Sequence, residues 1–309
     1  MVDNFEGRYW YNNQKPYLYV IAAKLPNVSA DDYNLIRIDK AKSLDNIIAE
    51  LKHSPVDAVY TDITDLDIFK AVIAMGAVVY FPEPIHGVKS WPVKKWGKTY
   101  QTIGGVKKNK TRQKLRRAED IAGALVGCVP LAIAYPFVAH AIKKEDNGPA
   151  IYKQERSGYN GRKFEMYKFR SMRTDADEIK NQLVDENEMD EHMFKIEDDP
   201  RITKVGKFLR KTSIDELPQF INVLKGDMSL VGTRPPTMDE IETYKARHKI
   251  RLTAKPGITG AWQTHGRNNI TDFEEVVGID KNYIFSDSLK ESANILMRTV
   301  LSVLHKDGE

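Results

Sequence analysis

The stretch Ile121-Ala-Gly-Ala-Leu-Val-Gly-Cys-Val-Pro-Leu-Ala-Ile-Ala-Tyr-Pro-Phe-Val-Ala-His-Ala-Ile142 contains no Asp, Glu, Lys or Arg. It is about as long as a helix must be to cross the hydrocarbon core of a bilayer. Pro130 and Pro136 each remove a backbone donor, so the helix is expected to break at one of them. Arg116 and Arg117 stand before the stretch and Lys143 and Lys144 after it. Positive charge tends to stay on the cytoplasmic face, so a simple crossing should be asymmetric. Basic residues at both ends predict a re-entrant membrane helix over 118–146 that returns to the side it entered. A buried core helix is the competing reading. It fits poorly with two prolines, apolar residues all round and a polybasic neighbour.

That neighbour lies upstream. Lys107, Lys108, Lys110, Arg112, Lys114, Arg116 and Arg117 follow one another with no acid among them. A run of this kind suits a solvated linker or a nucleic-acid patch. Its place directly before the apolar stretch assigns it instead to a basic juxtamembrane linker, 106–117, closing a Pro-, Gly- and Lys-rich connector that starts near residue 83. The segment before it alternates in type. Tyr17–Ala22, Ala58–Tyr60 and Ala77–Phe81 read as buried strands, and Leu44–Leu51 and Leu66–Met75 as helices. The β-α-β-α-β order predicts a small parallel sheet, a partial Rossmann-like α/β module within 1–105. Ala22-Ala-Lys-Leu-Pro26 replaces the glycine-rich turn of a dinucleotide site, so a structural or regulatory role is expected.

Bulk composition narrows the classes. Hydrophobic residues at 41% and charged residues at 29% describe a mostly globular chain rather than a disordered one. A net charge of +4 demands no nucleic-acid partner, and none is expected. Cys128 is the single cysteine, so no intramolecular disulfide can form. The start, Met1 to Trp10, lacks the charged-then-apolar pattern of a secretory signal.

The region 147–309 reads as a mostly α-helical α+β domain, soluble-looking and dense in motifs. The seven histidines show no i, i+4 pair, so a His/Cys metal site is set aside. The sharpest local feature is Arg210-Lys-Thr-Ser-Ile-Asp-Glu-Leu-Pro-Gln-Phe-Ile-Asn-Val-Leu-Lys-Gly226. Ser213-x-x-Glu216 fits a capping box, with Gly226 as the helix stop. If Asp215 is the cap instead, Pro218 falls in the first turn, where its missing donor costs nothing. Two carboxylates at a helix start, beside Arg210 and Lys211, also have a chemical use. One can attack phosphorus, and the other can hold Mg²⁺, a hard cation that binds through one or two carboxylates plus substrate phosphates. Capping and catalysis stay open at this level. Lys168-Phe-Arg170, Arg201 and Arg234 in Gly232-Thr-Arg-Pro-Pro236 are basic clusters suited to phosphate, or to surface ion pairs. Gly158-Tyr-Asn-Gly161 fits a hairpin turn better than a phosphate loop. Pro256–Gln263 with Gly266-Arg267 reads as a loop pairing an aromatic with an arginine, or as a core Trp. From Leu289 to Leu304 the apolar spacing predicts an amphipathic helix that packs on the domain or lies in the lipid interface.

Taken in order, these residues resemble a known family, the monotopic polyprenyl-phosphate phosphoglycosyl transferases, also called bacterial sugar transferases. The resemblance runs over about 112–309. It rests on Gln154-x-Arg156-x-Gly158, Tyr167-Lys-Phe-Arg-Ser-Met172, Asp199-Pro-Arg-Ile-Thr203, Gly206-x-Phe-Leu-Arg210, Ser213-Ile-Asp-Glu-Leu-Pro-Gln219, Asn222-Val-Leu-Lys-Gly-Asp-Met-Ser229, Gly232-Thr-Arg-Pro-Pro236 and Lys255-Pro-Gly-Ile-Thr-Gly260. It implies that Asp215 is the nucleophile, forming a phosphosugar-enzyme intermediate with loss of UMP from a UDP-sugar. It implies Glu216 as the dyad partner and Mg²⁺ ligand, and Lys168, Arg210 and Arg234 as substrate-phosphate residues. The acceptor would be undecaprenyl (polyprenyl) phosphate, and the product would start an exopolysaccharide or capsule repeat unit. The protein would sit on the inner (cytoplasmic) membrane, held by membrane lipid, with its catalytic domain on the cytoplasmic face. An oligomer is compatible with the sequence. A non-catalytic membrane-docked scaffold is the rival reading. Relatives often break the membrane helix at a Ser-Pro pair, whereas here the prolines follow Val129 and Tyr135. Larger relatives carry transmembrane helices and a fuller nucleotide-fold domain, of which 1–105 looks like a shortened remnant.

Overall fold

The computed structural model describes residues 15–23, 26–29, 32–53, 56–86, 88–105, 110–180, 199–264, 270, 272–286 and 288–305. The start of the chain to residue 14, Lys107, Lys108, Gly266, Arg267 and Lys306 lie outside the described residues. The elements in the N-terminal part are β1 (Tyr17–Ile21), β2 (Asn34–Arg37), α1 (Leu44–His53), β3 (Ala58–Thr61), α2 (Leu66–Ala74), β4 (Val78–Phe81), β5 (Trp91–Lys95) and β6 (Lys98–Gly104). Then come α3 (Lys110–Asp146), β7 (Ile151–Ser157), β8 (Lys163–Phe169), α4 (Ala176–Lys180), α5 (Lys204–Lys211), α6 (Gln219–Lys225), β9 (Ser229–Val231), α7 (Met238–Thr243), β10 (Gly257–Thr259), α8 (Ala261–Thr264), α9 (Phe273–Ser286) and α10 (Leu289–His305).

The chain divides into two compact units. The first holds residues 1–111 together with 159–162 and 244–254, and the second holds the rest. The first unit contains a six-stranded sheet of order β2-β1-β3-β4-β6-β5. Its four leading strands are parallel, as the alternating strand-helix pattern requires. The sheet is nevertheless mixed, because β6 pairs antiparallel with β4 and β5 antiparallel with β6. The connector expected from residue 83 therefore contributes two strands. Their hairpin turns at Trp96 and Gly97, both at positive φ (48° and 76°). Two such residues form the mirror-image turn whose twist matches that of the flanking strands. Tyr19, Ile21, Leu51, Phe69 and Phe81 form the core on one side of this sheet, where burial of apolar area supplies the main stabilisation.

In the second unit the dominant element is α3, 37 residues long and about 55 Å if straight, at roughly 1.5 Å per residue. It is long and apolar enough to cross a membrane, with 22% of its most apolar window buried. Residues 110–117, expected as linker, form its first turns. Pro130 and Pro136, expected to break the segment, both lie inside it and neither ends it. Each removes one backbone donor from the helix. Both ends are bonded to the same unit. Arg117 donates from Nη1 to the Val223 carbonyl at 2.6 Å and from Nη2 to Leu224 at 2.8 Å, at the carbonyl-rich end of α6. Asp120 accepts from the Ser229 hydroxyl at 2.7 Å and the Leu230 N–H at 2.9 Å. At the far end Glu145 accepts from the N–H groups of Lys204 (2.8 Å) and Val205 (3.2 Å), which open α5. Asp146 pairs with Arg170. Between these tethers Ala124, Leu131 and Ile142 are buried, while Leu125, Val126, Ile133 and Phe137 are exposed.

Candidate active site

The antiparallel hairpin β7–β8 runs in register from Ile151↔Phe169 to Ser157↔Lys163. As the glycine spacing suggested, Tyr159–Gly161 makes the turn, with Asn160 left-handed. Lys168 lies near the end of β8. Helix α5 is capped by Thr203, whose hydroxyl accepts from the Gly206 N–H at 2.9 Å. Gly206 lies on the β8 exit, where a Cβ would fall 1.9 Å from the Ser171 carbonyl oxygen. Only glycine permits that approach. At the other end of α5, Arg210 donates from Nε to the Ser171 hydroxyl at 3.1 Å.

The capping box expected at Ser213 does not form. Ser213 adopts a left-handed conformation, φ 54° and ψ 17°, and its side chain makes no capping bond. The chain turns there into a short 3₁₀ segment, Ile214–Glu216. Asp215 is not the helix cap either, since α6 begins at Gln219 with Pro218 in the N-cap position. Pro218 is thus placed where its absent N–H is not missed. The consequence is that Asp215 and Glu216 sit on a tight turn between two helices. Asp215 is 6% exposed. Glu216 Oε1 lies 2.8 Å from Lys168 Nζ. This direct contact unites two residues that are 48 apart in the chain.

Arg234 follows β9, which pairs in parallel with β10. The two strands close in on each other at Gly232, where a Cβ would lie 2.1 Å from the Lys255 carbonyl. Arg234 Nη1 is 3.0 Å and 3.2 Å from the two carboxylate oxygens of Glu240. Glu240 also accepts from the Thr237 N–H at 2.8 Å, while its own N–H donates to Thr237 Oγ1 at 3.1 Å. That exchange is a capping box for α7. Arg156 on β7 reaches the Pro235 carbonyl at 2.9 Å, and Gln154 accepts from its Nε at 2.9 Å. Burial first, and then Arg234, push the Arg156 guanidinium down to about 10, against the opposing pull of Glu240, Tyr152 and Glu216. Burial would raise the Glu240 carboxyl, but Arg234 and Arg156 hold it below its ordinary range. Arg156 thus feels Arg234 and Glu240 strongly and Glu216, on the carboxylate turn, most weakly.

Asp199 and Arg201 form a second, buried pair, with contacts of 2.9 Å and 2.7 Å. Burial opposes ionisation of Asp199, but Arg201, with a smaller contribution from Arg210, keeps its carboxyl low. Arg201 is thus a structural ion pair within the motif. Trp262 is 4% exposed and takes the core reading. Sequence reasoning assigned no role to Arg156 or Glu240. The capping pattern Thr237-x-x-Glu240 was the available signal for the second.

Among the described residues, no group of three or more His, Cys, Asp or Glu converges as a metal cage. Mg²⁺ does not need one, because it binds through one or two carboxylates and keeps its remaining positions for water and phosphate. Asp215 and Glu216 offer two hard oxygen donors on one turn, so their chemistry fits this ion.

The family model for bacterial sugar transferases matches residues 111–306. The chain is 58% identical over 193 residues to the galactosyl transferase CpsE of Streptococcus agalactiae serotype III, covering 62% of this chain and 43% of that protein. It is 44% identical over 200 residues to the undecaprenyl-phosphate galactose phosphotransferase of Salmonella typhimurium, covering 63% of this chain and 41% of that one. The exopolysaccharide production protein ExoY of Sinorhizobium fredii is 35% identical over 210 residues, 67% of this chain and 89% of its own length. The chain thus spans about two fifths of the first two relatives and most of the third.

Proposed function

The chain belongs to the bacterial sugar transferase family, and from that membership we propose that it moves a sugar 1-phosphate from a UDP-sugar to undecaprenyl phosphate, starting an exopolysaccharide or capsule repeat unit. The observation that carries this reading is the Asp215–Glu216 turn with Lys168 Nζ 2.8 Å from Glu216. In the first step an Asp215 carboxylate oxygen attacks the sugar-bearing phosphorus of the donor. The P–O bond to the other phosphate breaks, and UMP leaves with the bonding pair. In the second step an oxygen of the lipid phosphate attacks the same phosphorus. Asp215 is released, and the lipid carries a diphosphate-linked sugar.

Lys168, Arg210 and Arg234 supply the cations that an anionic nucleophile needs to approach a pyrophosphate. Glu240 holds Arg234 by both carboxylate oxygens, and a pre-set guanidinium recognises phosphate with little reordering. When bound, Mg²⁺ would neutralise phosphate charge, and Glu216 would hold it beside the nucleophile.

We infer a monotopic, re-entrant anchor on the cytoplasmic face of the inner membrane, and two observations support its re-entrant, lipid-facing part. The N-terminal and C-terminal ends of α3 are both bonded to one polar unit, through Arg117 and Asp120 at one end and Glu145 and Asp146 at the other. Its exposed residues Leu125, Val126, Ile133 and Phe137 are apolar and suit lipid.

The deciding experiment measures UMP release from a panel of UDP-sugars by purified protein in detergent with Mg²⁺, with and without undecaprenyl phosphate. Release that requires the lipid is expected, with one sugar preferred. Sustained release without lipid would replace the transferase by a hydrolase. No release from any donor would favour a membrane-docked scaffold.

A further inference from the structure

Asn222 is 0% exposed and stands at the middle of α6. Its side chain turns toward β8. Nδ2 donates to the Glu165 carbonyl at 2.6 Å, and Oδ1 accepts from the Tyr167 N–H at 2.9 Å. Residues 165 and 167 present these groups on one edge of β8, while β7 pairs along the strand's other edge. The carboxamide therefore takes the place of a neighbouring strand, satisfying one donor and one acceptor that burial would otherwise leave costly. Asparagine is the residue for this task, since its side chain carries the same donor and acceptor as a peptide unit.

The clamp has a fixed geometry at both ends. The main-chain carbonyl of Asn222 accepts from the N–H groups of Gly226 (3.1 Å), Asp227 (3.0 Å) and Met228 (3.3 Å), which closes the end of α6. Only Leu217 and Pro218 separate the start of that helix from the Asp215–Glu216 turn. On the other side, Lys168 directly follows Tyr167, whose N–H is held. One carboxamide thus ties the strand bearing the amine to the helix that follows the two carboxylates.

We propose that Asn222 is a positioning residue that sets the Lys168 amine against Glu216 through its paired hydrogen bonds to the edge of β8. The geometric claim stands on the contacts above. Its catalytic consequence rests on the function proposed for Asp215 and Glu216.

The test combines lysine footprinting with turnover. Reductive methylation followed by peptide mapping reads how accessible Lys168 is, with the exposed Lys98 on β6 and Lys207 on α5 as internal references. In Asn222→Ala, labelling of Lys168 should rise several-fold while Lys98 and Lys207 keep their wild-type rates. UMP release should fall about 10–100-fold, the scale on which small misplacements act. In a Lys168→Met background the same substitution should add little further loss, whereas a general loss of stability would lower both backgrounds equally. Asn222→Asp keeps the volume and the acceptor for Tyr167, and when ionised it replaces the donor to Glu165 by a buried, charged oxygen that repels that carbonyl. It decides the case if Asn222→Ala raises labelling everywhere by losing its fold. Lys168 as protected as in wild type, in either folded variant, overturns the proposal. Wild-type protein that releases no UMP overturns the functional reading alone, because the footprint is read independently of turnover.

Discussion

Lys168 on β8 and Glu216 on the 3₁₀ turn meet at 2.8 Å, with 29% and 27% of their side chains exposed. Next to this pair Asp215 is nearly buried, at 6%. The arrangement separates roles. Glu216 has a cation at hand and solvent access for a substrate or ion. Asp215 is shielded, which favours a nucleophile that water would otherwise compete with.

Replacing Asp215 by Asn removes the attacking oxygen while keeping size and shape. UMP release should fall by about 10³-fold or more, as expected for loss of a covalent nucleophile, with a melting temperature close to wild type. Continued transfer at the normal rate would end the covalent reading.

Glu216→Gln should raise the Mg²⁺ concentration for half-maximal activity by at least about tenfold, because a hard anionic donor is lost. Titrating Mg²⁺ against initial rate checks this. An unchanged midpoint would remove Glu216 as the metal residue.

Glu240 makes a pH prediction. Its folded carboxyl titrates below the ordinary value of 4.5 because Arg234 and Arg156 outweigh the effect of burial. A carboxyl held low in the folded state contributes stability that is complete above its unfolded pKa. That contribution is lost as the pH falls through the folded value. Glu240→Gln should therefore cost about 1–3 kcal/mol at pH 7. The gap between variant and wild type should narrow below about pH 4.5. Urea melts at both pH values measure it, and a gap that stays constant would refute the assignment.

The anchor can be tested by topology. With Cys128 changed to Ser, single cysteines placed at Lys114 and Lys144 should both react with a membrane-impermeant maleimide in inverted vesicles. Both should be protected in right-side-out vesicles. Reaction from opposite sides would mean a full crossing.

The parts of the fold legible in the sequence were those where burial imposes a period. Strands β1, β3 and β4 and helices α1 and α2 follow their apolar spacing, and all have buried cores. The edge strand β2 is only half buried, so its alternation is faint. The β5–β6 hairpin was hidden by its turn, because Trp96-Gly97 carries none of the usual Asn-Gly or Asp-Gly signature although both residues have positive φ. At the site, the carboxylate pair and its lysine could be named from their motifs. The failed capping box could not be foreseen, since it depends on the left-handed backbone of Ser213. Asn222 and Glu240 went unassigned for a related reason. Their roles lie in partners that only the folded chain brings near, such as the Glu165 carbonyl 57 residues away.

Gly123 and Gly127 of α3 leave room for side chains of the second unit. A Cβ at either would meet the Leu230 or Phe220 side chain at 2.5 Å. The apolar helix is thus cut to fit its own catalytic body, and this bears on how such proteins can be trimmed or recombined. Deleting the helix to obtain a freely soluble enzyme would lay bare Phe220, Leu230 and the cluster around Val223 and Met228, inviting aggregation. Grafting on a foreign anchor with bulkier residues at those two positions would oblige the Leu230 and Phe220 side chains to repack. Heredity should therefore transmit anchor and body as one piece, and shuffling should succeed only at junctions upstream of Arg117.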